Sequence, residues 1–114
     1  MENIVEQGML YDFYGELLTA HQRQVYEAAV YDDLSLSEIA SEFGITRQGV
    51  HDLLRRCDRI LQDYENHLHL LERFRRTKAD AARISELVAR YRTQGDPADL
   101  DRIEEIAAKI SDEL

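Results

Sequence analysis

The sequence predicts an all-α protein, a helix-turn-helix bundle with a long C-terminal helical extension. Apolar residues recur three or four positions apart along most of the 114-residue chain, which is the spacing of one helix face. Residues that cap helix N-termini, together with a single proline, divide this pattern into separate segments. The alternating runs of β-branched and aromatic residues that are typical of strands are few.

The N-terminal region predicts two helices. The first extends from Glu2 to Leu18, because apolar side chains recur there at helical spacing. These side chains are Ile4, Leu10, Phe13, Tyr14 and Leu17. Thr19 and Gln22 have the spacing of a capping box, which predicts the start of a second helix. The residues expected to face the core from that helix are Val25, Tyr26, Ala29 and Val30.

The most informative stretch is "LSLSEIASEFGITRQGVHDLL", which begins at Leu34. Ser35 and Glu38 make another capping box and predict a short helix that ends at Phe43. Gly44 suits the left-handed residue that commonly follows a helix.

A second helix of the motif is predicted to start at Arg47, with Thr46 as its N-cap. Ala40, Gly44 and Val50 are separated by four and then six positions, which is the spacing of a helix-turn-helix. The expected shared core also includes Ile39, Ile45 and Leu53. An ordinary helical hairpin with a glycine cap would produce part of the same pattern.

The helix that starts at Arg47 is predicted to be long and to carry a heptad seam. The seam residues are Val50, Leu54, Cys57, Leu61, Tyr64, Leu68 and Leu71, widened by Leu53, Ile60 and Phe74. The seam can pair two copies of the chain or pack on the first helix. Thr77 either caps a new helix or lies inside a continuous one.

A C-terminal extension follows, so we expect a helix-turn-helix domain at 1–76 and a helical extension at 77–114. Apolar periodicity resumes at Ala81, Ile84, Val88 and Tyr91. "TQGDPAD" breaks it, with Asp96 as N-cap and Pro97 in the first turn of the last helix. The expected stripe of that helix is Leu100, Ile103, Ile106, Ala107 and Ile110.

Composition excludes several classes of protein. No stretch reaches the roughly 18–20 apolar residues of a membrane span, and "MENIVEQGML" lacks the features of a signal peptide. The single cysteine, Cys57, excludes an internal disulfide and is expected to be a small buried residue. These features predict a cytoplasmic protein. The histidines and carboxylates form no metal-ligand, nucleophile or phosphate-loop pattern, so no catalytic residue, cofactor or metal is predicted.

Charge is unevenly distributed along the chain, although the net charge is −9. Residues 1–45 contain one basic and nine acidic residues, and residues 94–114 contain two basic and seven acidic residues. Residues 46–93 contain eleven basic and seven acidic residues. A basic central band can bind nucleic acid despite a negative total, with weak long-range attraction and salt-sensitive affinity.

The candidate nucleic-acid-binding residues lie on the polar face of the second helix of the motif. They are Arg47, Gln48, His51, Arg55, Arg56 and Arg59. In DNA readers this helix enters the major groove, where Arg47 would bind guanine or phosphate and Gln48 would bind adenine. Asp52 lies among them, and its negative charge would repel phosphate. The same residues would also suit the solvated face of an amphipathic helix.

The stretch from Leu18 to Arg56 resembles the promoter-recognising C-terminal domain of bacterial sigma factors, with its "LS-x-x-EIA" helix and "G-I-T-R" turn. A wider resemblance, from Leu10 to Phe74, is to the YlxM family of small bacterial cytosolic proteins. It rests on the phrases "LYDFYGELLT", "DDLSLSEIASEF" and "TRQGVHD". "LYDFYGELLT" is the more specific part, because generic sigma domains lack it.

The YlxM resemblance implies a sigma-like helix-turn-helix protein that is accessory to the signal recognition particle. The implied partners are the particle's GTPase subunit, its RNA, or both, and the family looks dimeric. Matching motif positions are Arg47, Gln48, Val50 and Asp52. Gly49 and His51 stand where the family more often has Ala and Tyr, and the tail from Lys78 has no clear family counterpart.

Three hypotheses remain open at this point. The first is a regulator that binds the particle's RNA or, as a transcriptional regulator, DNA. The second is a protein-interaction module whose acidic ends bind the basic GTPase subunit. The third is a self-associating helix bundle without a nucleic-acid role. No membrane insertion and no small-molecule substrate are expected.

Overall fold

A computed structural model describes residues 3–114, and in that range the chain forms six α-helices and no β-strand. The helices are α1 Ile4–Tyr14, α2 Ala20–Val30, α3 Leu36–Phe43, α4 Arg47–Leu68, α5 Leu70–Gln94 and α6 Pro97–Glu113. The all-α prediction is confirmed. The chain divides into two compact units, Met1–Leu71 and Glu72–Leu114, which we call the N-terminal and C-terminal units. None of the described helices is long and apolar enough to cross a bilayer.

The first helix is shorter than predicted. Asn3 is its N-cap, and its Oδ1 atom accepts a hydrogen bond from the amide of Val5 at 2.9 Å. The predicted start at Glu2 lies outside the described residues. The helix ends at Tyr14 and a 3₁₀ turn, Gly15–Leu17, follows, so the predicted continuation to Leu18 was wrong. A Cβ atom on Gly15 would lie 2.7 Å from the Tyr11 ring, so the glycine permits this tight turn.

The buried face of α1 includes only part of the predicted apolar stripe. Its members Ile4, Phe13 and Leu17 are 50%, 38% and 55% exposed. Leu10, Tyr11 and Tyr14 are the buried residues of α1. The phenol rings provide the apolar packing, and their hydroxyl groups need polar partners.

The helix-turn-helix forms as its capping residues predicted. Thr19 and Ser35 each complete a capping box, at the starts of α2 and α3. Gly44 adopts φ 67°, the left-handed conformation that L side chains rarely adopt, and turns the chain from α3 into α4. The Thr46 hydroxyl then accepts a hydrogen bond from the amide of Gly49 at 2.9 Å.

Two buried clusters stabilise the N-terminal unit. One joins α2, α3 and α4 through Val25, Ala28, Ile39 and Val50. The other consists of Leu10, Tyr11, Tyr14, Leu18, Tyr26, Cys57, Leu61 and Leu71. The predicted seam residues Val50, Cys57, Leu61 and Leu71 are therefore buried within the chain itself.

Four hydrogen bonds from tyrosine hydroxyls to carboxylates connect the helices around the second cluster. Tyr14 donates to Glu65 at 2.6 Å, Tyr26 to Asp58 at 2.6 Å, and Tyr31 to Asp12 at 2.5 Å. The fourth bond joins Tyr11 to Glu27. We call this set the tyrosine–carboxylate bonds. They connect α1 to α2, α1 to α4, and α2 to α4.

The chain turns between α4 and α5 at His69, which adopts φ 56°. The Tyr14 hydroxyl accepts from the amide of Leu70 at 3.1 Å, and the Glu65 carboxylate accepts from the amide of Leu71 at 3.0 Å. These two bonds satisfy amides of the first turn of α5, which have no partner within their own helix.

This turn corrects the predicted extent of the long helix. α4 ends at Leu68, so the seam residues Leu71 and Phe74 lie on the next helix, and Leu68 and Phe74 are 47% and 44% exposed. Thr77 lies inside α5, so it caps no helix, and the helix that starts at Arg47 does not continue through it either.

In the C-terminal unit, α6 begins as predicted, with Asp96 as N-cap and Pro97 in its first turn. Leu87 and Ile106 are buried, whereas the predicted stripe residue Leu100 is 42% exposed. The unpredicted feature is Asp99, which is 1% exposed and accepts hydrogen bonds from Arg90, one at 2.5 Å.

Candidate nucleic-acid interface

The exposed face of α4 carries all six candidate residues. The capping of α4 by Thr46 and the burial of Val50 and Cys57 fix the rotation of the helix against α2 and α3. The opposite face therefore points to solvent, and all six candidate side chains are exposed. They are Arg47, Gln48, His51, Arg55, Arg56 and Arg59.

Three arginines form the basic part of this face. Two of them, Arg55 and Arg56, are adjacent in the sequence, and Arg59 follows one helical turn later. Together with Asp52 they line a shallow groove of about 350 Å³. Within the described part of the chain, none of the three makes an ion pair. Unpaired guanidinium groups with five donors each are suited to phosphate oxygens.

Asp52 is the centre of the first turns of this face. Its Oδ1 atom accepts a hydrogen bond from the Gln48 amide at 2.9 Å and lies 3.6 Å from Nδ1 of His51. The Asp52 side chain is 68% exposed. The carboxylate thus orients two of the candidate side chains, Gln48 and His51, and reduces the positive charge next to the arginines.

A second acidic residue of α4, Asp58, is turned away from this face. Its carboxylate accepts from the Tyr26 hydroxyl at 2.6 Å and from the Gln7 amide at 3.0 Å. Burial, and then the bond to Asp58, raise the pKa of the Tyr26 hydroxyl well above its usual value. Because these internal donors occupy Asp58, it forms no ion pair with Arg55, although both line a groove of about 220 Å³.

Sequence reasoning missed a third groove, which lies between α4 and the N-terminal end of α2. It has a volume of about 410 Å³, and its lining residues are Thr19, His21, Gln22, Gly49, Asp52, Leu53 and Arg56. The capping box at Thr19 was the available signal, since it fixes where α2 begins. Nothing in the sequence indicated that this end of α2 packs beside Gly49.

Acidic side chains are concentrated elsewhere in the N-terminal unit. Asp32, Asp33 and Glu42 are exposed near α3. The Glu38 carboxylate accepts a hydrogen bond from the amide of Ser35, which lowers its pKa. Negative charges in the same unit weaken the long-range attraction between the basic face and a polyanion.

Cys57 is fully buried, as predicted, and burial raises the pKa of its thiol to about 11. Among residues 3–114, no three His, Cys, Asp or Glu side chains are grouped so that they could hold a metal ion.

Comparisons with known proteins agree with this architecture. Residues 1–99 match the family UPF0122, described as "Putative helix-turn-helix protein, YlxM / p13 like". The chain is similar to proteins named "UPF0122 protein" from Bacillus thuringiensis (strain Al Hakam), Bacillus cereus (strain 03BB102) and Bacillus anthracis (strain A0248). Each is 38% identical over 89 residues, which cover 78% of this chain and 81% of the relative.

Proposed function

This chain belongs to the UPF0122 family of YlxM- and p13-like helix-turn-helix proteins, and from this premise we propose that it is a non-enzymatic regulator that binds nucleic acid through α4. The observation that carries the proposal is the row of arginines Arg55, Arg56 and Arg59 on the exposed face of the second helix of the motif, which form no ion pair among residues 3–114. A helix-turn-helix presents this same face to its ligand.

The two ends of the face have different roles in this proposal. Arg47 and Gln48, in the first turn of α4, contact base edges, because the N-terminal residues of such a helix lie deepest in a groove. Arg55 and Arg59, further along, contact phosphates and set the register. The acidic surroundings make the affinity modest and strongly dependent on salt.

The partner proposed from the family resemblance is the signal recognition particle, in the cytosol. Its RNA would bind to the basic face of α4, and its GTPase subunit would bind to acidic surfaces such as that near α3. Two copies of the chain would present two such basic faces. A DNA target, as for a transcriptional regulator, is the alternative within the same binding mode.

The test is fluorescence anisotropy of the protein with labelled signal recognition particle RNA and with an unrelated DNA duplex. Salt is varied from about 50 to 200 mM, because each phosphate contact adds about one unit to the salt slope. We expect the Arg55→Ala variant to weaken binding severalfold and to reduce that slope by about one.

The matched control is Arg102→Ala. Arg102 is an exposed arginine of α6, paired with Glu105 at 2.9 Å. Loss of the same charge there should leave the affinity unchanged. Equal effects of both substitutions would mean that total charge, rather than α4, determines binding. If neither nucleic acid binds, the proposal fails, and binding to the GTPase subunit becomes the function to measure.

A further inference from the structure

The groove between the N-terminus of α2 and α4 has the features of a small binding site. Its volume of about 410 Å³ is within the range of small-ligand pockets. A Cβ atom on Gly49 would contact only the Thr46 hydroxyl oxygen, at 3.0 Å, so the space above Gly49 is otherwise open. A glycine in a helix weakens it, and here that glycine leaves the floor of the groove free.

The carboxylate of Asp52 is the acceptor of this groove. Both of its contacts, with Gln48 and His51, involve Oδ1. Within the described residues Oδ2 has no protein donor, and the side chain is 68% exposed. A carboxylate beside Arg55 and Arg56 repels phosphate, so it opposes general binding of a nucleic-acid backbone. Only a ligand with a donor at this position offsets that repulsion.

We propose that this groove binds an unpaired nucleobase and that Asp52 prefers the bases that carry an exocyclic amino group on the Watson–Crick edge, which are cytosine, adenine and guanine, over uracil and thymine. The amino group donates to Oδ2 of Asp52, as a carboxylate accepts from cytosine N4 in protein–DNA complexes. Arg56, one turn further along α4, binds the adjacent phosphate. Uracil and thymine present a carbonyl oxygen at that position, and Asp52 repels it.

The remaining lining residues support this assignment. Gln22 provides an amide at the wall formed by α2, and His21 is a flat ring that already packs edge-on against Phe43, with centroids 6.2 Å apart. Unpaired bases are commonly bound between flat side chains and read on their Watson–Crick edges. The groove therefore adds a base-specific position to the phosphate-binding face of α4.

This inference rests on the proposed function, and the test separates the two. The probes are labelled oligonucleotides of about 12 residues, which is within the usual range of single-strand site sizes. Oligocytidine and oligouridine are compared at about 50 mM salt, as RNA and as DNA. We expect wild type to bind oligocytidine about tenfold more tightly, which is the scale of one charge-assisted hydrogen bond. Equal preferences in RNA and DNA would indicate that the base alone is read.

The Asp52→Asn variant removes the charge and retains the shape. We expect it to bind both oligonucleotides more tightly than wild type and to lose the preference for cytosine. Asp63→Asn is the control, because Asp63 is an exposed acid on the same helix outside this groove. It should strengthen binding slightly and leave the preference unchanged.

Three results would overturn the inference. Wild type could bind both oligonucleotides equally. Asp52→Asn could strengthen binding and keep the preference for oligocytidine. Asp52 would then only repel phosphate and would not select the base. Asp63→Asn could change the preference as much as Asp52→Asn. Absence of any binding by wild type would instead remove the proposed function itself.

Discussion

The two units of this chain are stabilised by different kinds of polar contact. In the N-terminal unit, four neutral phenol hydroxyls donate to carboxylates, and Tyr14 and Tyr26 are almost fully buried. In the C-terminal unit, α5 and α6 are connected by ion pairs. These pairs are Arg90 with Asp99 at 2.5 Å, Lys109 with Asp80 at 3.3 Å, and Arg76 with Glu113 at 3.6 Å.

The difference shows how each unit can depend on pH. A tyrosine–carboxylate bond needs a neutral hydroxyl, and burial raises the pKa of Tyr14 and Tyr26 above the usual 10.0. The contribution of this bond to the free energy of unfolding is complete below about pH 10 and is lost as pH rises through the folded-state pKa of the tyrosine.

In the C-terminal unit, hydrogen bonds from Arg90 lower the pKa of Asp99 below its usual 3.8. The ion pair of Asp99 with Arg90 therefore contributes to the free energy of unfolding above about pH 4, and this contribution is lost as pH falls through the folded-state pKa of Asp99.

The largest effect is expected from Tyr26→Phe. The substitution removes the hydroxyl that donates to Asp58 and leaves the carboxylate with the Gln7 amide. A hydrogen bond to a charged group contributes about 1.5–3 kcal/mol, so the free energy of unfolding should fall by about that amount. Urea denaturation followed by circular dichroism measures it.

The matched control is Tyr31→Phe, which removes a similar bond at an exposed residue. Tyr31 is 51% exposed, and water can replace its hydroxyl as the partner of Asp12. We expect a loss of at most about 1 kcal/mol. Equal losses in the two variants would contradict the view that the buried tyrosine–carboxylate bonds stabilise the N-terminal unit.

A smaller effect is expected from Asp99→Asn. The variant keeps the size of the side chain and removes the charge that pairs with Arg90, so α6 should lose stability near neutral pH. Its amide protection should then change little between about pH 5 and pH 2, whereas in wild type it falls over this range, because the pKa of Asp99 is lower in the folded than in the unfolded chain. Hydrogen exchange resolved by residue measures both, with the amides of α2 as internal reference.

The outcome for α2 is as informative as that for α6. Asp99→Asn should leave the exchange of α2 amides unchanged at neutral pH. If α2 loses protection in parallel with α6, the two units do not unfold independently. If wild-type α6 keeps its protection at about pH 2, Asp99 is not the group responsible for acid sensitivity.

The features that the sequence predicted correctly are local ones. Thr19, Ser35 and Thr46 cap helices through residues three positions away, and Gly44 terminates α3 by its own conformational freedom. Such signals depend on a few neighbouring residues, so one sequence is sufficient to recognise them. The exposed arginines of α4 were found in the same way, from helical periodicity.

The features that the sequence did not predict depend on distant residues. Tyr14 and Glu65 are 51 positions apart, and Tyr26 and Asp58 are 32 apart. The turn at His69 depends on the first of these pairs, because Tyr14 and Glu65 bind the amides that follow it. The groove above Gly49 depends on the packing of α2 beside α4. Spacing within one helix carries no information on such contacts.

The sharpest comparison of the two units comes from a pair of glycines. Gly44 between α3 and α4 and Gly95 between α5 and α6 both adopt φ 67°, and a Cβ atom on either would meet no neighbour within 4 Å. Alanine at either position should lower the free energy of unfolding by about 1–2 kcal/mol, because the left-handed backbone is strained for a residue with a Cβ atom.

Only Gly44→Ala should weaken nucleic-acid binding, because relief of that strain reorients the start of α4. Anisotropy measured at a temperature where both variants are folded separates the two effects. Equal loss of affinity in Gly95→Ala would mean that binding depends on general stability and not on how the turn at Gly44 aims α4.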